Sequence, residues 1–182
     1  MHSMEDDIKE VLFSPEALAG IVNKVGSQIS EDYRDKNLLL VSILKGSVVF
    51  MSDLMRAVTI PCSIDFMAVS SYGSGVKTSG VVRIVKDLDI DLKGCDVLLV
   101  EDILDSGLTL SYILELLGAR SPKSLKVCTL FDKPSRRTAD VKADYSGAVV
   151  PDEFIVGYGL DYNQKYRNLP FVGILKPEVY GD

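Results

Sequence analysis

The segment VLLVEDILDSGLTL, residues 97–110, decides how the rest of the chain is read. Its apolar start reads as a buried strand, and Glu101 and Asp102 stand at the carboxyl end of that strand. Asp105, Ser106 and Gly107 make a turn, and LTLSYILELLGAR (108–120) reads as a helix ending near Gly118. Open α/β sheets bind ligands outside the carboxyl ends of their strands. The first amides of a helix have no internal partners and favour an anion, and a glycine lets the backbone approach a phosphate. Residues Asp105 to Thr109 therefore predict a phosphate seat, with the Ser106 and Thr109 hydroxyls as added donors. The carboxylates beside it would repel phosphate unless they face ribose hydroxyls or share a magnesium ion, which favours one or two carboxylates plus substrate phosphates and waters. The same residues also fit a plainer turn, with Asp105 capping the helix and Glu101 and Asp102 in solvent. No GxxxxGK[ST] motif is present, so the turn is not a P-loop.

Strand and helix patterns alternate outward from this segment. Ser14 and Pro15 suit the start of a helix over 14–33, with apolar residues at 18, 21, 22, 25 and 29. LLLVSIL (38–44) fits a strand covered on both faces, VVFMSDLMRAV (48–58) a helix, and IPCSIDFMAVSSY (60–72) a second strand. Residues 71–85 start glycine- and serine-rich and read as a mobile stretch. SLKVCTLFDK (124–133) is the next strand, 133–147 a polar loop, and strands recur within 148–162 and at the end of 166–175. The alternation predicts an α/β fold with a mainly parallel sheet and helices on both faces. The strand-rich last third predicts a small addition over the sheet's carboxyl edge. We read residues 1–182 as one domain, with Met1 to Ser3 set aside as an expression scar ahead of Met4.

Composition narrows the chemistry. The 182 residues are 47% hydrophobic and 25% charged, an ordinary globular balance with room for one core. A net charge of −6 works against non-specific binding to nucleic acid or anionic membranes. The apolar runs are too short to span a membrane, and the N-terminus has no signal-peptide pattern. The three cysteines form no CxxC pair, so neither a disulfide framework nor a zinc site is indicated, and a cytoplasmic protein is expected. The only histidine is His2. That removes Ser-His-Asp, Cys-His and HExxH chemistry, leaving carboxylates, lysines, arginines, backbone amides or an oxygen-held metal.

The strand, the acidic pair and the following D-[ST]-G-x-T resemble the phosphoribosyl-diphosphate signature of the type I phosphoribosyltransferases. LLLVSILKGSVVFMSDL, SSYGSGVKTSG, DKPSRR and VPDEFIVGYGLDYNQKYRNLPFVGIL resemble, in order, the pyrophosphate loop, mobile loop and purine-recognition region of the purine-salvage branch. The resemblance covers most of residues 38–175. It implies that family's fold, with a small hood formed from the C-terminal and N-terminal parts.

The roles below are those the resemblance implies. Glu101 and Asp102 meet the ribose hydroxyls, directly or through Mg2+, with Asp161 as a further magnesium ligand. Asp105 lies near purine N7 as general base or acid. A helix N-terminus favours its charged form, and burial under a bound purine opposes this. Asp105, Ser106, Gly107, Leu108 and Thr109 seat the 5′-phosphate, and Leu108 stands where vertebrate relatives carry lysine. Lys45, Gly46 and Arg167 hold pyrophosphate, with Ser47 where some relatives have a second glycine. Ser71 and Tyr72 belong to the closing loop. Lys133 meets the purine 6-oxo group, which an ammonium donor favours over the adenine amine. Phe154 stacks on the base, and Ile155 meets its edge with Asp161 also at the purine, although FIV alone reads as core.

The implied reaction transfers phosphoribosyl from phosphoribosyl diphosphate to hypoxanthine or guanine, giving IMP or GMP and pyrophosphate. The resemblance also implies a homodimer or homotetramer. The rival readings are a xanthine-preferring enzyme and a nucleotide-sensing regulator of the same fold. A regulator would be expected to show a basic face, an added domain or damaged catalytic positions.

Overall fold

The computed structural model describes residues 3–71 and 82–181. Two sheets organise the chain. The larger has six strands, β2 (Leu38–Leu44), β3 (Ser63–Ser71), β4 (Val82–Lys86), β5 (Asp96–Leu104), β6 (Ser124–Asp132) and β7 (Tyr145–Val149), in the order β4-β3-β2-β5-β6-β7. All neighbours are parallel except the edge strand β4. The chain leaves central β2 toward β3 on one side, then returns to β5 and proceeds outward through β6 and β7. This reversal puts a crevice at the carboxyl ends of β2 and β5, the position where such sheets bind ligands.

Alternate residues of the strands feed two cores, as a pleat with both faces covered requires. Leu38, Leu40, Leu98, Val100 and Cys128 pack with helices α1 (Pro15–Asp32) and α2 (Val48–Ala57). Leu39, Val41, Val97, Leu99 and Val127 pack with helix α3 (Leu108–Gly118) through Leu110, Ile113 and Leu117. Helices thus cover both faces, as expected. The start of α1 is also as read from sequence: Ser14 Oγ accepts from the Ala17 amide and Pro15 occupies the first turn.

The smaller sheet joins β1 (Ile8–Phe13) to β9 (Val172–Leu175) and β8 (Ile155–Val156), in the antiparallel order β1-β9-β8. It is the expected hood, built from both termini. The sequence reading had not identified β1, nor the four-residue helix α4 (Pro177–Tyr180) that follows β9. Two other boundaries differ from expectation. Val82–Lys86, which overlaps the end of the stretch read as mobile, pairs with β3, and Val82 is buried in the sheet core. Strand β7 begins at Tyr145, inside the expected polar loop, because Tyr145 packs beneath α1 and donates to Asp32 at 2.6 Å. Among the described residues no helix is long and apolar enough to cross a membrane.

Candidate active site

Strand β5 delivers its acidic pair to two sides. Glu101 lines a cavity of about 220 Å³ with Ile43, Asp105, Ser106, Gly107 and Thr109. Asp102 abuts Gly46, where an added Cβ would overlap its carboxylate, so the loop after β2 approaches this closely only as glycine. The Leu44–Lys45 peptide of that loop is cis. Burial, then the charge of Asp102, pushes the Glu101 carboxyl well above its ordinary value. Burial also raises Asp102, opposed by the Ile103 amide and Arg167. Ser47 Oγ donates to the Ile43 carbonyl and lies 2.7 Å from Ser42 Oγ, so Ser47 ties the loop to β2.

The turn after β5 has a backbone arranged so that it could seat an anion. Gly107 is the N-cap of α3 at φ 80°, a conformation suited to glycine, and no side chain caps the helix. The first helical bond runs from Ser111 to the Gly107 carbonyl at 2.8 Å. Ahead of it Leu108 N reaches only Ser106 Oγ, at 3.4 Å. The carbonyls of this turn point the other way. Arg137 Nε donates to Asp105 O at 2.9 Å and Nη2 to Leu104 O at 3.1 Å. The amides of Thr138 and Ala139 both donate to Ser106 O at 3.0 Å. Arg137 is itself fixed by the Asp132 carboxylate and the Val141 carbonyl. With these carbonyls bonded, the turn presents N–H groups to its cavity. The sequence reading missed Arg137. The DKPSRR segment was its only signal, and nothing local links position 137 to carbonyls 32 and 33 residues earlier.

Asp105 does not cap α3. Its Oδ1 is buried with no hydrogen-bond partner among the described residues. A buried acceptor without a donor is costly, so its place in a cavity wall is informative. That wall is shared. Asp105 and Ile103 also line a second cavity of about 270 Å³, with Lys133, Phe154, Ile155, Leu160 and Asp161. Lys133 is 6% exposed. Its ammonium donates to Glu153 O at 2.8 Å and lies 3.5 Å from Asp152, leaving one of three N–H donors for the cavity. Ile155 is buried in β8, and Phe154 stands more open at the rim.

Asp161 pairs with Arg167 at 2.9 Å and accepts from the Gln164 amide at 2.8 Å. Arg167 also donates to Gly159 O at 2.8 Å. Gln164 Oε1 accepts from both Lys45 and Arg167 at 3.3 Å, bringing the two predicted pyrophosphate cations onto one atom. The sequence reading missed Gln164 and Ile103 as well. Leu108 and Thr109 are exposed at the start of α3. Ser71 ends β3, and Tyr72 lies outside the described residues.

Among the described residues no three Asp, Glu, Cys or His side chains group closely enough to hold a metal. Glu101, Asp102 and Asp161 thus form no closed cage. A strand-end pair of carboxylates with raised proton affinity still fits magnesium, which takes one or two protein carboxylates and completes its shell with substrate oxygens and water.

A phosphoribosyl transferase domain model matches residues 10–163. The hypoxanthine-guanine phosphoribosyltransferase of Staphylococcus aureus is 52% identical over 98% of this chain and 100% of its own. The bifunctional protein TilS/HprT of Listeria monocytogenes is 50% identical over 99% of this chain, which spans 28% of that relative's length. The crystal structure of an S. aureus hypoxanthine phosphoribosyltransferase superposes with a TM-score of 0.97, covering 100% of each chain at 52% identity. A Trypanosoma cruzi hypoxanthine phosphoribosyltransferase, solved as a ternary substrates complex, gives 0.91 at 39% identity over 96% of this chain and 99% of its own. This chain belongs to the phosphoribosyltransferase family, on its hypoxanthine-guanine branch.

Proposed function

We propose that this protein is a cytoplasmic purine-salvage enzyme whose one catalytic domain moves the phosphoribosyl group of phosphoribosyl diphosphate to N9 of hypoxanthine or guanine. One observation carries the reading: a cavity walled by the glycine turn and a lysine-walled cavity share Ile103 and Asp105, whose Oδ1 has no hydrogen-bond partner among the described residues. A nucleotide would span them, with its 5′-phosphate on the amides of residues 106–109 and its base between Ile103 and Phe154.

In this reading the bond from the anomeric carbon to the diphosphate oxygen breaks as the bond to N9 forms. Asp105, in the wall the two cavities share, takes the purine proton that must leave. Lys133 donates to the 6-oxo group and disfavours adenine, whose amine is itself a donor. Arg167 and Lys45, held on Gln164, bind the departing pyrophosphate. Magnesium, when bound by Glu101 and Asp102 or beside Asp161, would add charge neutralisation at the diphosphate. Ser71 and Tyr72 would close over the site and exclude water. We read the working assembly as a homodimer or homotetramer. Full-length relatives and the intact positions Asp105, Lys133 and Arg167 favour this reading over a sensing regulator.

The test is pyrophosphate release from phosphoribosyl diphosphate with hypoxanthine, guanine, xanthine, adenine or uracil, each with and without a chelator. Magnesium-dependent release with hypoxanthine and guanine is expected, with xanthine weaker and adenine and uracil silent. Silence with all five from folded protein that binds the diphosphate would favour the regulator.

A further inference from the structure

We infer that Tyr180 is a positioning residue for the base: its ring backs Phe154 and fixes the plane on which the purine stacks. This rests on the reading of the larger cavity as the purine seat. Phe154 is 37% exposed at the cavity rim, so the sheet core does not hold its ring. Two tyrosines do. Tyr180 stacks on it with centroids 4.9 Å apart and planes 27° from parallel. Tyr162 meets it edge-on at 5.5 Å and 88°, and lies 6.4 Å from Tyr180.

Tyr180 lines the same cavity as Phe154, and about 270 Å³ stays open beside the stacked pair. The tyrosine therefore borders the open space beside Phe154. Its position is tied to that of Phe154 through the backbone. Leu175 N donates to Phe154 O at 2.8 Å, and Lys176 N, at the start of α4, donates to Asp7 O at 2.9 Å. Among the described residues the Tyr180 hydroxyl has no hydrogen-bond partner, so the ring carries the role. A stacking surface ordered before the ligand arrives loses less rotamer freedom on binding.

The test compares full-length Tyr180→Ala and Tyr180→Phe with the unaltered protein in steady-state kinetics and IMP binding. Tyr180→Ala should raise KM for hypoxanthine and Kd for IMP by about three- to ten-fold, the range of an aromatic pair. Its kcat and KM for phosphoribosyl diphosphate should stay within about two-fold, and Tyr180→Phe should restore the purine constants. Unchanged purine constants in Tyr180→Ala would overturn the inference. So would tighter purine binding, which would mean the ring occupies the base's own place. A parallel rise in both KM values with a lowered Tm would also overturn it. Unaltered protein that neither uses hypoxanthine nor binds IMP would instead overturn the functional reading, and this inference with it.

Discussion

The anion seat occupies one turn, residues 104–109, while the base cavity beside it takes walls from Ile103 on β5, Lys133 after β6, Phe154 and Ile155 at β8, Asp161 in the hood loop and Tyr180 on α4. The seat uses backbone N–H groups, fixed from behind by Arg137 and the next two amides. The cavity uses side chains brought by several different elements. A backbone site needs little from its side chains beyond a glycine at φ 80° and acceptors for its reversed carbonyls. A side-chain site needs the whole hood in register. The two halves meet at Asp105, whose Oδ1 has no hydrogen-bond partner among the described residues and which does the chemistry in the proposed reaction.

Substitutions that act on one half should leave the other intact, and the largest effect belongs to the shared residue. Asp105→Asn should lower turnover by roughly 100-fold or more, as for removal of a general acid–base group, while binding of phosphoribosyl diphosphate stays within a few-fold. Near-normal turnover would return Asp105 to a structural part. Lys133→Met should raise KM for hypoxanthine by about 10- to 100-fold, the loss of a hydrogen bond to a charged donor, with little change for phosphoribosyl diphosphate. Equal losses for both substrates would mean that Lys133 acts by bracing Glu153 and Asp152 instead.

Arg137→Lys tests the opposite half. An ammonium cannot reproduce the guanidinium fork on Leu104, Asp105 and Val141, so KM for phosphoribosyl diphosphate should rise by roughly 5- to 20-fold, more than KM for hypoxanthine. If hypoxanthine suffers more, the clamp serves the cavity and not the seat.

The smallest effect is on stability. Burial and the Asp102 charge hold Glu101 above its ordinary value. Between its unfolded and folded titrations the folded state binds more protons, so stability falls as pH rises through that window. In metal-free protein Glu101→Gln should therefore raise Tm by roughly 2–4 °C at pH 8. The gain should vanish as pH falls below the ordinary carboxylate range. Thermal unfolding across pH checks it, and a gain independent of pH would contradict the buried-charge explanation.

The same contrast explains what the sequence revealed. The run from Val97 to Thr109 is contiguous, and its strand, turn and helix follow from local pattern, as do Leu38–Leu44 and Pro15–Asp32. Lys133, Phe154, Ile155, Asp161 and Arg167 were named only through resemblance, because no local spacing joins them. Strand β1 was not recognised: its residues alternate weakly, and its order comes from pairing with β9 across nearly the whole chain. Arg137, Gln164 and Tyr180 escaped for a similar reason. Each acts through distant partners, so each has an ordinary local sequence.

The most direct test is a crystal structure with IMP bound. The account places the 5′-phosphate against the amides of residues 106–109, the base between Ile103 and Phe154, and the 6-oxo oxygen within hydrogen-bond distance of Lys133 Nζ. A base outside the cavity lined by Lys133, or a phosphate away from that turn, would contradict it.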